Sequence, residues 1–186
     1  MNKYDIHNLT LMAVCMASGP LFAQNKEDWR GLTMNAALSR MKPYVGEHNP
    51  GVDTTTLEGK VMCGYQGWFA AEGDGSNRGW FHYAERHEIL EPGHCTFDLW
   101  PDMSELGEGE KFATPFQCKD GSTAYLYSPY RRKTTMRHFK WMQEYGIDGD
   151  FMQRYGVSLK DPKTLDYRNV VTSHVQAGAN QYGRTW

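Results

Sequence analysis

Three groups of side chains in this sequence could bind a ligand that carries many hydroxyl groups, such as a sugar. The first group is the string Tyr65-Gln66-Gly67-Trp68. The Tyr65 phenol and the Gln66 amide offer hydrogen bonds, and the Trp68 indole offers a flat surface for stacking. The alternative, which the residues leave equally open, is that Tyr65 and Trp68 only fill the interior of the fold.

The second group lies within residues 79–105 and combines aromatic, imidazole and carboxylate side chains: Trp80, His82, Asp98, Trp100 and Asp102. Such side chains gathered in one loop could form a substrate-binding site. Because Pro101 separates the two acids, they are not expected to share one face of an uninterrupted helix. Capping of the loop and solvated charge are the alternative roles for the acids. For His82 the binding and structural roles are both open, because an exposed loop histidine beside Trp80 has no core to pack into.

The third group is Gln153-Arg154, which follows a short apolar segment. The planar fork of an arginine can hold a hydroxyl or a carboxylate. Its alternative role is an ion pair with a neighbouring residue. By contrast, His138 and Trp141 fall in a predicted helix, and we interpret them as packing or surface residues. No residue is assigned a catalytic role, and we predict neither a metal nor a cofactor.

The elements that must position these groups follow from periodicity and turn residues. Residues 60–69 form a short apolar run that ends in glycines, which predicts a buried strand opening into a loop over residues 70–121. A helix is predicted over 131–145, a second strand over 147–155, and a second helix from Asp161 to Gly183. This order predicts an α/β fold, namely a (β/α)8 barrel of which the first two βα units are present.

Composition narrows the function further. The 186 residues are 40% hydrophobic and 23% charged, which is typical of one globular core. A formal net charge of -2 argues against nucleic acid as a partner. Aromatic residues make up 13% of the chain, which suits stacking on sugars or, alternatively, a large aromatic core.

The first 23 residues have the features of a signal peptide. An apolar run over residues 9–17 precedes the small residue Ala23, and residues 24–59 then form a polar lead-in to the domain over residues 60–186. Since the apolar run is much shorter than the roughly 20 residues that span a bilayer, we expect a secreted or periplasmic protein without a membrane span.

Several strings occur together in one order: Lys60-Val-Met-Cys-Gly-Tyr-Gln-Gly-Trp-Phe, Gly79-Trp-Phe-His, Asp98-Leu-Trp-Pro-Asp-Met-Ser-Glu, and His138-Phe-Lys-Trp-Met-Gln-Glu-Tyr-Gly-Ile-Asp-Gly with Gln153-Arg154. They resemble the start of bacterial proteins grouped with glycoside hydrolase families 71 and 99, which are related to endo-α-mannosidases and sometimes labelled xylosidase or arabinosidase.

This resemblance implies a (β/α)8 barrel that hydrolyses a polysaccharide or glycan, with the first-strand Tyr65 and the loop residues His82 and Trp80 near the sugar. It also implies that the catalytic carboxylates lie on later strands, beyond this sequence, so this stretch alone would be inactive. The alternative is a carbohydrate-binding barrel protein without catalysis.

If residues 1–23 are a signal peptide, they are removed on export, because the apolar run is too short to serve as an anchor. Mass spectrometry of the exported protein should therefore show a mature chain that begins after Ala23. Exported protein that retains Met1 would contradict this prediction.

Overall fold

The structure, a computed structural model, describes residues 46–85 and 89–186. The predicted signal peptide over residues 1–23 and the first part of the lead-in lie outside the described residues. The described residues contain two α-helices and four strands, which pair in two small sheets.

The first sheet is parallel and joins distant parts of the chain. Strand β1, Met62–Tyr65, pairs with β4, Gly149–Met152. Asp148 accepts a hydrogen bond from the Val61 amide at 2.8 Å, and the Gln153 amide donates to the Tyr65 carbonyl at 3.1 Å. These bonds fix the register just before and just after the paired residues.

The second sheet is an antiparallel hairpin of β2, Phe112–Gln117, and β3, Thr123–Leu126. Its register is irregular between Ala113 and Gln117. Pro115 lies in this interval, and a proline cannot donate a ladder hydrogen bond, which accounts for the irregular pairing.

Two helices cover one face of the parallel sheet. Helix α1, Arg132–Glu144, precedes β4, and helix α2, Pro162–Tyr182, follows it after a 3₁₀ helix over Gly156–Lys160. Asp161 caps α2 by accepting from the amides of Lys163 and Thr164, and Gly183 ends α2 with a positive φ of 60°. The two helices therefore begin and end within a residue or two of the predicted positions.

The helices pack on the sheet through aromatic and aliphatic side chains. A buried cluster joins residues of β1 and both helices: Tyr65, Ala70, Phe139, Met142, Tyr167, Val171, Val175 and Ala179. Gly178 allows the helices to approach closely, since a Cβ there would lie 2.7 Å from the Phe139 ring. A second buried cluster, which includes Trp80, Tyr83 and Leu126, lies under the hairpin.

The predicted (β/α)8 barrel is wrong for the described residues. Barrel closure needs eight parallel strands, whereas β1 and β4 form a two-stranded sheet that is extended only by a parallel bridge between Gly149 and Thr185. The predicted loop over residues 70–121 also contains β2, which pairs with a strand that the apolar run 124–127 supplies. The observed architecture is a small α/β fold.

Helix α2 is 21 residues long, but it carries charged and amide side chains along its length. Within residues 46–85 and 89–186, no helix combines the length and the apolar character that crossing a membrane requires.

One carboxyl group is buried inside this fold without a partner. Asp150 of β4 is fully buried, and neither of its side-chain oxygens has a hydrogen-bond partner. It lies opposite Cys63 in the parallel pair. Burial raises the pKa of Asp150 from the ordinary value of 3.8 to about 7.

The substitution Asp150→Asn should therefore stabilise the protein above neutral pH. The folded-state pKa is raised, so the stability that the neutral carboxyl contributes is complete below about pH 4 and lost as the pH rises through about 7. At pH 8 the free energy of unfolding of the variant should exceed that of the wild type by about 1–3 kcal/mol. Denaturant unfolding at pH 4 and pH 8 measures this difference. The exposed Asp166→Asn is the matched control, and equal pH dependence of wild type and D150N would contradict the prediction.

Candidate functional site

Aromatic and basic side chains meet where β1 and β4 end. We call Trp68, His82, Arg154, Tyr155 and Arg168 the strand-end cluster. The Trp68 ring lies 5.6 Å from the His82 ring and 5.3 Å from the Tyr155 ring, centroid to centroid. The guanidinium carbon of Arg168 lies 5.1 Å from the centre of the same indole. Trp68 is thus the common contact of two further rings and one cation.

The position of Trp68 depends on the turn that follows β1. The Trp68 amide donates to the Gln66 carbonyl at 2.9 Å, so the chain turns sharply after the strand. Gly67 in this turn lies against α2, where an added Cβ would be 2.7 Å from Val171. Because no larger residue fits there without displacing Val171, Gly67 allows the turn to hold Trp68 over the start of α2. The indole keeps only 6% of its surface exposed.

His82 has an unusual backbone conformation. Its φ is 65°, in the left-handed region that residues other than glycine rarely adopt. The Thr96 hydroxyl donates to the His82 carbonyl, and the Thr96 amide donates to the Tyr83 carbonyl at 3.0 Å, which holds this segment. The exposed His82 ring contacts Phe69 and Phe81 as well as Trp68. Strained residues of this kind are found more often at functional sites than elsewhere.

The charge state of His82 follows from its surroundings. Partial burial lowers the pKa of His82, and the positive charges of Arg168 and Arg78 lower it further. The imidazole is therefore neutral at neutral pH, and it offers one hydrogen-bond donor and one acceptor.

Gln153 and the cluster member Arg154 directly follow β4. The Gln153 amide packs over Gly64, where an added Cβ would lie 2.7 Å from Nε2. Arg154 donates to the Asn169 side chain at 2.7 Å and to the Thr172 hydroxyl at 3.2 Å. Both partners are neutral residues of α2, so the ion pair considered as an alternative for Arg154 is not formed with any described residue.

Tyr65 and Gln66 belong to a different part of the surface. Tyr65 is 8% exposed and packs in the core, and its hydroxyl lies 2.8 Å from Nδ1 of His138. Tyr65 and Gln66 line a groove of about 500 Å³ beside α1, together with His138 and Trp141. Burial lowers the pKa of His138 to about 4. The groove thus contains two residues that the sequence indicated as ligand-binding and two that it indicated as packing or surface residues.

The remaining predicted residues lie in the long connection before β3. Trp80 is buried, and its indole donates to Glu72 at 3.2 Å. Trp100 donates to the Tyr125 carbonyl at 2.8 Å, and its ring packs on Phe97. These contacts place both indoles against the hairpin rather than in the strand-end cluster.

The two predicted acids of this connection also lie away from the cluster. Asp98 is exposed. Asp102 accepts a hydrogen bond from the Ser104 amide at 2.8 Å, which lowers the pKa of the Asp102 carboxyl. Asp102 also lines a depression of about 340 Å³ that adjoins Trp141. The hydrogen bond from the Ser104 amide corresponds to the loop-capping role that was the alternative for Asp102.

The structure divides the predicted substrate-binding residues among three places. Trp68, His82, Gln153 and Arg154 lie at or near the strand ends, Tyr65 and Gln66 line the groove beside α1, and the others lie in the connection before β3. In the described residues no group of three histidine, cysteine or acidic side chains could hold a metal ion. Comparison with protein-family models, curated proteins and solved structures found no match, so the function must be inferred from this geometry.

Two members of the cluster, Tyr155 and Arg168, were not selected from the sequence. Tyr155 ends the predicted second strand, and its position resembles that of Arg154. Arg168 lies in α2 three residues before Val171 and seven before Val175, on the buried face of the helix. A charged residue at an apolar position of a helix is the signal that could have identified it.

The left-handed conformation of His82 leads to a prediction about stability. His82→Ala and His82→Gly remove the same ring contacts, but only alanine keeps the steric cost of a positive φ, which is about 1–2 kcal/mol. The glycine variant should therefore be more stable than the alanine variant by about 1 kcal/mol. Thermal unfolding of both variants measures the difference, and a less stable glycine variant would contradict it.

Proposed function

We propose that this protein binds carbohydrate at the strand-end cluster and acts as a glycoside hydrolase. The observation that carries the proposal is the pair of exposed rings, Tyr155 and His82, that flank the buried Trp68 where two adjacent parallel strands end. Tyr155 is 55% exposed. Ligands of parallel α/β folds bind at the carboxyl ends of strands, and exposed aromatic rings can stack on the apolar faces of sugars.

Polar groups suited to sugar hydroxyls are carried by the rings themselves and by the two residues that precede Tyr155 in the chain. The neutral His82 imidazole and the Tyr155 hydroxyl each offer a donor and an acceptor. The Gln153 amide offers both kinds of group, and the Arg154 guanidinium adds further donors. Directional hydrogen bonds at the rim of a stacking surface would orient a sugar ring and distinguish one hydroxyl configuration from another.

The hydrolytic part of the proposal is supported by the resemblance of the sequence to glycoside hydrolases. Hydrolysis of a glycosidic bond usually needs two carboxyl groups about 5–10 Å apart. Asp161 is the carboxylate that reaches the neighbourhood of the cluster, through an ion pair with Arg78 at 3.6 Å. Hydrogen bonds from Thr164, together with those from the Lys163 and Thr164 amides, lower the pKa of Asp161. An ionised helix cap is a poor proton donor, so no catalytic acid is assigned.

Binding without catalysis is the second candidate function. The engagement of Asp161 as the N-cap of α2 favours it, because the carboxylate next to the cluster is then unavailable for acid or base catalysis. The two candidates differ in one observable, namely the release of reducing ends from an oligosaccharide that the protein binds.

Isothermal titration with neutral xylan, arabinan and mannan oligosaccharides tests the proposed binding site. For the oligosaccharide that binds, Tyr155→Ala should raise Kd about tenfold or more, since the loss of a stacking contact is worth about 1.4 kcal/mol. His82→Gly should act in the same direction. Tyr145→Ala, which removes a tyrosine that is 75% exposed beside α1, is the matched control and should leave Kd unchanged.

Two results would overturn this proposal. One is the absence of binding to every carbohydrate offered, and the other is binding that depends on Tyr145 but not on Tyr155, which would place the sugar in the groove beside α1. A reducing-end assay on the bound oligosaccharide then separates hydrolysis from binding alone.

A further inference from the structure

Two guanidinium groups belong to the strand-end cluster, and a third, that of Arg78, lies near enough to act electrostatically on Arg168. Arg168 is 5% exposed. Burial lowers the pKa of Arg168, and the positive charges of Arg154 and Arg78 lower it further. Arg78 is also buried, with its guanidinium carbon 3.9 Å from the centre of the Phe81 ring. The site thus concentrates positive charge in a chain whose formal net charge is -2.

Carboxylates do not balance this charge within the described residues. Arg78 has one anionic partner, Asp161 at 3.6 Å, and also donates to Thr164 at 2.9 Å. Arg154 is held by the neutral side chains of Asn169 and Thr172. Among the described residues, Arg78 is therefore the one of these three cations that pairs with a carboxylate.

Arg168 is the group for which this imbalance is greatest. No described carboxylate contacts it, and its Nε is buried without a hydrogen-bond partner. Its guanidinium lies over the Trp68 ring, 5.1 Å from the ring centre. Burying a cation without an anionic partner is costly, and the buried Nε also lacks an acceptor, so an arginine in this state is suited to pair with an anionic ligand.

The location of Arg168 indicates what kind of anion would bind. The indole that it contacts is the one flanked by the His82 and Tyr155 rings. An anion that pairs with Arg168 would therefore lie beside the rings proposed to stack on sugar. A ligand that satisfies both features carries an oxyanion on a carbohydrate ring.

We propose that the strand-end cluster recognises an acidic sugar, with Arg168 pairing with a carboxylate or sulfate substituent while Tyr155 and His82 contact the sugar ring. Arg154 lies on the same side and adds a second cation. This inference rests on the proposed carbohydrate-binding function and adds the substrate class. The guanidinium fork matches the two oxygens of a carboxylate or sulfate, which a point charge such as lysine does not.

Isothermal titration of the full chain with three oligosaccharides of similar length tests the inference: a neutral xylo-oligosaccharide, the same backbone substituted with glucuronic acid, and a sulfated form. Sodium sulfate is titrated separately as a probe of charge without sugar. At least one acidic oligosaccharide should bind about tenfold more tightly than the neutral one, and the preference should weaken as the salt concentration rises. The uronate and sulfate arms identify which oxyanion is preferred.

Two variants connect this preference to Arg168. Arg168→Gln should reduce the ratio of neutral to acidic Kd to near one. Arg168→Lys should recover only part of the ratio, because lysine keeps the charge but lacks the fork. The exposed Arg132→Gln is the matched control and should keep the wild-type ratio. If R168Q does not fold, the exposed Arg154→Gln should lower the ratio about threefold or more.

The outcomes separate this inference from the proposed function. Binding of neutral oligosaccharides as tight as that of both acidic forms would overturn the acidic-sugar inference and leave carbohydrate binding intact. Binding of sulfate alone as tightly as the sulfated sugar would overturn the role of the sugar ring. Absence of binding to all three oligosaccharides would overturn the proposed function itself.

Discussion

Every feature of the candidate site depends on the parallel pairing of β1 with β4. The hydrogen bond from Val61 to Asp148 joins residues that are 87 positions apart in the sequence. Because the strands run in the same direction, the turn after β1 and the segment after β4 emerge at the same edge, which brings Trp68 next to Tyr155. An antiparallel pair would have placed these segments at opposite ends of the sheet.

Buried polar contacts then fix the connection after β1 to helix α2 and to the segment before α1. The Tyr167 hydroxyl donates to the Phe69 carbonyl at 2.6 Å, and Asp74 accepts from the Ser128 hydroxyl at 2.7 Å. Arg78 joins the same connection to Thr164 in the first turn of α2. Since buried polar groups are costly unless they are paired, these contacts favour one placement of the segment that carries His82.

The sequence predicted the local elements more accurately than the way they assemble. Helical periodicity located both helices, and the signals at Asp161 and Gly183 located the ends of α2, because these depend on neighbouring residues. The barrel was an extrapolation from two βα units and the family resemblance. The hairpin was missed because Pro115 and the bulge interrupt the alternation that identifies a strand. Likewise, Trp68, His82 and Arg154 could be selected as candidate ligand-binding residues from residue type and position. The role proposed for Arg168 could not, because it depends on which side chains surround the guanidinium in three dimensions.

The unpartnered carboxyl of Asp150 also affects the chemistry of its neighbour on β1. Burial raises the pKa of the Cys63 thiol, and the nearby Asp150 raises it further. Nucleophilic attack and oxidation require the thiolate. A thiol held in its protonated form reacts slowly with peroxides and with disulfides. The same arrangement that leaves a carboxyl group without a partner therefore lowers the reactivity of this cysteine.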